Sequence, residues 1–517
     1  MKHLFKTAIC ALLALPLTTA CEMDQYPDGS LTEGQAWTEY ADAQKCYVGL
    51  LSSIRGVSGG SNAYITDIQS DLFNERVASS SLTREHSWTF NNTQFAGDVI
   101  WSRNYSLVLQ ANYLLRNIGK IEEMDNLSDE QRTMISCYKG TAYFARAYAY
   151  CNLLPRYCKD YEPADGDNPG TGGELGLPLL ANYGSHLKPA RATLDETLKF
   201  VELTLDSAQA YMVDVYDDVN HPNTFTIDAL RSRLCLYQHK FDEAISLSKN
   251  LVNNYSVVPG FKALQMMWVL DESSETIFQP LQTPDELATS YDIFVSFDIQ
   301  TKNLESYING MKSFYLPTQG LIDLFEPSDL RGQVYFNYPY MQSNPPISGV
   351  TPGTSVEGTV FYKFPGNQSL WKTGNEWYSK IYNMSKAFRG AEQYLICAES
   401  ALRKSEPNLD LALLMLNELR EARGASSLPD NLSKDELIKV MEEEWVREFV
   451  GEGFRLDCLK RWHKGFKRME PQPFTDAILI TTPGFTDLEV SADDPKWVWE
   501  IPSQDLQANP NLTPNWK

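Results

Sequence analysis

The densest run of residues able to do chemistry lies between Glu442 and Trp462, EEEWVREFVGEGFRLDCLKRW. Glu443 stands four residues before Arg447, and Glu448, Glu452, Arg455 and Asp457 follow closely. Two carboxylates this close suit general acid/base work. They suit a structural cluster equally, in which cations neutralise acids where two segments pack. The second reading is the one adopted. Arg447 and Arg455 are expected to neutralise the acids, and Glu448, Glu452 and Arg455 to hold the fold. The rest of the chain holds no G-x-S-x-G, no H-E-x-x-H and no phosphate-cradling glycine loop. Its six histidines show no metal spacing, and its nine cysteines include no C-x-x-C. A pair of carboxylates brought together from distant positions, as in glycoside hydrolases, stays open at this point.

The element that positions this run is a helix with a marked entrance. Ser433 and Glu436 have capping-box spacing, and Leu432 and Leu437 flank them as a hydrophobic staple. Ile438, Met441, Trp445 and Phe449 recur at steps of three and four, one apolar face. Gly451 and Gly453 interrupt it. Further helices are expected over Trp101–Ile118, from the Ser128/Gln131 box to about Tyr157, and over Arg191–Met212 with a Thr193/Glu196 box. Thr226–Asn254 reads as helix, tight turn at Gln238–Lys240, helix. Its Ala229, Leu236, Tyr237, Phe241 and Ala244 have the small/large alternation of tetratricopeptide units. Arg389–Arg423 reads as a second such hairpin. About four helical pairs stacked as a right-handed solenoid are expected. The fold class is therefore mainly α, a tetratricopeptide-like helical-hairpin solenoid with an irregular, loop-rich insertion containing short β-strands such as Gly358–Lys363.

Taken together, the motifs resemble those of the SusD/RagB family. From Glu444 to Trp462 the chain reads E-x-x-R-E-x-x-x-E-G-x-R-x-x-x-L-x-R-W, similar to that family's signature. Trp101, Tyr105, Asn112 and Leu115 fit its W-x3-Y-x6-N-x-L-L run. Asp329 and Arg331 fit its L-x-D-L-F-x3-D-x-R element, and Arg389–Arg423 resembles R-x-A-E-x-Y-L-I-x-A-E followed by A-x3-L-N-x-L-R-x-R-G, with two residues instead of one between Arg420 and Arg423. The end, Trp499–Trp516, resembles the closing I-P-x-x-E-x3-N-P-x-L-x-Q-N, with Asp505 for Glu and Pro514 for Gln. The resemblance runs through nearly the whole chain in the right order.

Composition agrees with a large exported globular protein. The 517 residues are 43% hydrophobic and 22% charged, ample for a sizeable core. A net charge of −22 argues against nucleic acid and against polybasic attachment to anionic lipid. Lys2 and Lys6 precede a short apolar run, Ala8–Leu17, too short to span a bilayer. The run ends LTTAC, which resembles a lipoprotein signal with Cys21 as the lipidated residue, Leu17 standing one place early. The seven cysteines after Cys21 lie mostly in apolar helical runs and read as small hydrophobes, with no disulfide framework. The expected layout is a signal peptide over 1–20, a tether over 21–31 and one domain over 32–517. Within it, helical repeats occupy about 100–254 and 387–424, the irregular ligand-binding insertion about 255–385, and the signature region 433–517.

The resemblance implies a non-catalytic, cell-surface lipoprotein of the outer membrane. It would bind oligosaccharides and pass them to a SusC-like TonB-dependent outer-membrane transporter. A peptide-binding, RagB-like uptake subunit is the alternative, and a glycoside hydrolase a weaker one. It also implies that the shallow ligand site is built from two loop regions. Asp71–Asn92 would supply Asp71, Asn74, Arg76 and Trp88. Thr283–Tyr315 would supply Tyr291, Phe294, Phe297 and Tyr307. Trp371 and Trp377, flanked by polar residues and glycine, are further candidates. Trp88 in particular is expected to be exposed, because it lies in a polar stretch, Asp71–Gly97, without helical periodicity. No cofactor is called for; whether a structural Ca²⁺ is bound is left open.

Overall fold

The computed structural model describes residues 36–77, 82–184, 186–286, 290–297, 311–344, 354–370 and 382–516. The expected signal peptide, Cys21, Tyr307, Trp371 and Trp377 lie outside the described residues. The principal helices are α1 (Tyr40–Val57), α2 (Ser61–Gln69), α3 (Asp98–Glu122), α4 (Asp129–Tyr157), α5 (Leu194–Tyr211) and α6 (Thr224–Tyr237). They continue with α7 (Phe241–Asn254), α8 (Phe261–Val269), α9 (Gly390–Arg403), α10 (Leu409–Ala422), α11 (Lys434–Phe449) and α12 (Arg455–Arg461). The boxes at Ser128/Gln131, Thr193/Glu196 and Ser433/Glu436 form as expected. Each satisfies backbone N–H groups that a helix start leaves unpaired.

Helices pack in series, α3 on α4, α4 on α5, α6 on α7. The series then skips the insertion, because α9 packs directly on α7 and then on α10 and α11. Periodicity explains why. Leu395, Ile396, Ala398 and Leu402 of α9 are buried with Ala244 and Val252 of α7 in one apolar cluster. A solenoid repeat cannot bury its apolar face alone, so the chain returns to the open end of the stack.

Strands are short and pair two by two, all antiparallel: β1 (Phe73–Glu75) with β7 (Tyr315–Pro317), β2 (Leu175–Pro178) with β3 (Arg191–Thr193), and β4 (Thr276–Phe278) with β10 (Phe388–Arg389). β5 (Ser296–Phe297) pairs with β6 (Met311–Lys312), β8 (Phe336–Asn344) with β9 (Thr354–Phe361), and β11 (Phe466–Lys467) with β12 (Glu489–Val490). The β4–β10 pair closes the insertion at its base and sets Arg389 at the entrance of α9. Gly56–Asn62 comprises the end of α1, a three-residue turn and the start of α2.

Candidate functional site

The signature acids face inward, and their partners come from the insertion and from α9's entrance, α10 and α11. Glu448 of α11 is fully buried. It accepts hydrogen bonds from Arg331 Nη1 at 3.0 Å, from Arg423 Nε at 3.2 Å and Nη2 at 2.8 Å, and from Arg389 Nη1. Glu444, one turn earlier, accepts from Arg331, from Arg420 at 3.1 Å and from Arg447 at 3.0 Å. Glu452 takes Arg389 at 2.8 Å and Lys363 Nζ at 2.6 Å. Glu275 bridges Arg389 and Arg423 at 3.0 and 2.9 Å. Burial alone would raise the carboxyl of Glu448. The charges of Arg423, Arg389 and Arg331 override it and hold that carboxyl well below its ordinary value. Glu444 is likewise pulled down to about 2, against its own burial, by Arg331, Arg447 and Arg420. An acid so firmly ionised and saturated with donors has no proton to give, so the cluster is a structural one.

The partners differ in part from the expectation. Arg447 does neutralise Glu444 and Glu443, but Arg455 reaches none of the helix acids. It pairs with Asp71 at 2.9 and 2.7 Å. The main counter-ions are Arg331, Arg389 and Arg423, three of the motif arginines. Arg420, also within those motifs, joins them through Glu444, whereas Glu275 and Lys363 were not singled out from sequence. Lys363 carried the one visible signal, a lone charge inside the apolar run VFYKF. The two glycines of the signature have their own reason. Gly451 and Gly453 adopt φ of 85° and 86°, and a Cβ at Gly453 would lie 2.6 Å from the Ala63 carbonyl oxygen. This turn lets Asp67 accept backbone N–H bonds from Gly451, Gly453 and Arg455.

The expected ligand loops are mostly interior. Asp71 is buried against Arg455. Asn74 lies in β1 with its side chain buried, and Arg76 is buried with Nη1 donating to the Ser313 carbonyl. Trp88 is corrected from exposed to buried: only 7% of its surface is open. It meets Phe90, Phe466 and Trp497 edge to face at 5.4, 5.8 and 5.6 Å. The local stretch has no apolar face, but residues from the C-terminal region supply one. Phe294 is also buried, 4.9 Å from Phe361 and 5.0 Å from Phe73. Phe297 lies in β5.

Tyr291 alone of the described candidates lines a cavity. Its ring stacks on Phe364 at 3.8 Å, and its hydroxyl shares a hydrogen bond with Ser385. The cavity is of about 140 Å³ and lies between α1, α2, α4 and α6 on one side and α9, α11 and α12 on the other. Tyr148, Tyr237, Trp445 and Phe454 add aromatic surface; Asn152, Ser385, Arg233 and Glu392 add polar edges. Arg233 binds Glu392 through Nε at 2.6 Å and Nη2 at 2.8 Å. Beside this wall, Ser290 bridges to Tyr382, the residue that follows the segment holding Trp371 and Trp377. Among the described residues no group of three histidines, cysteines or acids is placed to hold a metal ion. No described helix is long and apolar enough to cross a membrane.

Comparison with known proteins places this arrangement. No curated protein matches the chain. Solved structures do. A SusD superfamily protein from Bacteroides thetaiotaomicron superposes with a TM-score of 0.72 at 19% identity, over 93% of this chain and 100% of that one. A SusD-like carbohydrate binding protein from Bacteroides vulgatus gives 0.69 at 19%, over 92% and 97%. Surface glycan-binding protein A from Bacteroides uniformis gives 0.66 at 17%, over 92% and 99%. At such identities the likeness is one of fold. Two family models also match. One, described as starch-binding associating with outer membrane, matches residues 42–236, and the other, described as SusD family, matches 243–516. The second spans more than half of the sequence and takes in the acids and arginines of the buried network, from Glu275 to Glu452; the chain belongs to the SusD family.

Proposed function

We propose that this protein is a glycan-binding subunit held at the outer membrane by a lipid on Cys21. It captures oligosaccharides and hands them to a SusC-like TonB-dependent transporter. The observation that carries this reading is family membership over both halves of the chain, one of them under a starch-binding, outer-membrane description. The chemistry of the described site supports it. Sugar rings present apolar C–H faces and hydroxyl edges, which aromatic side chains and fixed polar groups match. Binding proceeds without turnover and calls for no cofactor. Each carboxylate near the cavity already has a cation: Glu392 has Arg233, Glu452 has Arg389, and Asp457 has Arg156 at 3.8 Å. Glycoside hydrolysis needs one acid kept protonated, and paired carboxylates do not supply it. Tyr291, Trp371 and Trp377 are the aromatic candidates for contact with the sugar.

The test is a glycan array with the purified protein, alongside a pull-down from native membranes in mild detergent. Oligosaccharide binding without product formation, with a TonB-dependent barrel co-purifying, is expected. Binding of peptides and of no glycan would replace the ligand class. Absence of a barrel would remove the transporter from the scheme, and equal fatty-acid labelling of wild type and Cys21→Ala would remove the anchor.

A further inference from the structure

The cavity behind Tyr291 is unlike a surface platform. Close-packed interiors leave few spaces larger than a water molecule, and this one, at about 140 Å³, exceeds that size. Its walls are polar as well as aromatic, so it does not stay dry. Arg233 shows that the space is real. Its guanidinium lies over the rings of Phe388 and Phe454 at 4.4 and 5.3 Å and is clasped by Glu392. Yet 24% of the side chain stays open. Cys151, Asn152 and Tyr237, which line the same cavity, are also only partly covered.

Charge narrows the ligand. The cations at the wall are Arg156, Arg233, Lys386 and Arg461, and each is matched by an acid: Asp457, Glu392, Asp271 and Glu399 respectively. A carboxylate or ammonium ligand would find no unpaired counter-ion and would lose its hydration for nothing. A neutral polyhydroxylated ring meets what is present: aromatic rings and the amide of Asn152. Size narrows it further. Sites for drug-sized ligands run to about 300–1,000 Å³, and this cavity is below that, room for one ring and not for a run of them.

We propose that this cavity is a pocket for a single terminal ring of an uncharged sugar chain, so that the protein recognises the end of its glycan. The proposal rests on the glycan-binding reading above. Free glucose, galactose, mannose, xylose and N-acetylglucosamine are to be used as competitors against the oligosaccharide that scores on the array. One of the five is expected to displace it completely, and affinity is expected to change less than about twofold beyond the disaccharide. Filling the pocket at two places on its wall, with Cys151→Phe on α4 and Ser58→Phe after α1, is expected to lower affinity at least tenfold with an unchanged melting temperature. Leu203→Ser, on the outer face of α5, should bind as wild type does. If the wild type binds an oligosaccharide but no monosaccharide competes, end recognition is overturned and the glycan reading stands. A folded filled variant that binds normally overturns end recognition in the same way. If one variant does not fold, the other and the competition decide. A wild type that binds no glycan overturns both.

Discussion

Glu448 sits in a site that water does not reach, with three guanidinium groups around one carboxylate. Removing one partner from such a cluster leaves an uncompensated buried charge, which costs about 3–5 kcal/mol. Arg389→Ala and Glu448→Ala should each lower stability by about that amount in denaturant titrations, and Arg455→Ala should do so through Asp71. An unchanged midpoint for Arg389→Ala would show that the network is not what holds these segments. The pH dependence follows in sign. Glu444 has its folded pKa depressed to about 2, so its contribution is fully present above the ordinary 4.5 and is lost as pH falls between the two. Asp67 works oppositely. Burial pushes it up to about 7 against the pull of three backbone N–H groups, so its folded form binds the proton more tightly than the unfolded chain does. It adds stability at low pH that is lost as pH rises from 3.8 to 7. Melting temperature against pH should therefore fall steeply below about 4.5. Asp67→Asn should flatten the gentler slope on the neutral side, and Glu444→Gln the acid limb.

At the level of elements, the prediction that changes most between sequence and structure concerns Trp88. With 7% exposure and three aromatic neighbours it is a core residue, and Trp88→Ala should destabilise by about 3–5 kcal/mol. Binding by the folded fraction should be intact. Loss of binding with an unchanged melting temperature would restore it to a ligand platform. The helices were legible because their information is local: a capping box within four residues and an apolar stripe repeating every three or four. Ser433, Glu436 and the face from Ile438 to Phe449 needed no knowledge of the rest of the chain. Trp88 and Asp71 were not legible, because what covers them comes from far away. Phe466, Trp497 and Arg455 lie more than 350 positions downstream. A polar stretch without periodicity looks solvent-exposed only as long as its distant partners are unknown. The motif acids and arginines fall between these cases. Sequence placed them at named positions and suggested a charge cluster, but only the fold shows that Arg331, Arg389 and Arg423 converge on Glu448 while Arg455 turns to Asp71.

For the molecule as a whole, the open question is whether solenoid and insertion behave as one cooperative body. Sequence divides them sharply, helical repeats on either side of an irregular stretch. The contacts argue for unity. α9 packs on α7 across the insertion, and β4 and β10 close its base. The network then ties Glu275, Arg331 and Lys363 of the insertion to Arg389, Arg423, Glu444, Glu448 and Glu452 of the repeats and signature. Opening either part alone would strand several charges in a medium that cannot solvate them, at several kcal/mol each. Sub-global opening is rare when its cost approaches that of unfolding everything. Calorimetry should accordingly record one transition, with calorimetric and van't Hoff enthalpies in agreement, although chains of this length often unfold in steps. Glu448→Ala removes the acid shared by three of the arginines and should split that transition in two, the insertion melting first. Two well-separated transitions in the wild type would mean that the network joins two bodies that are stable apart, and that its charges stay paired within each when they separate.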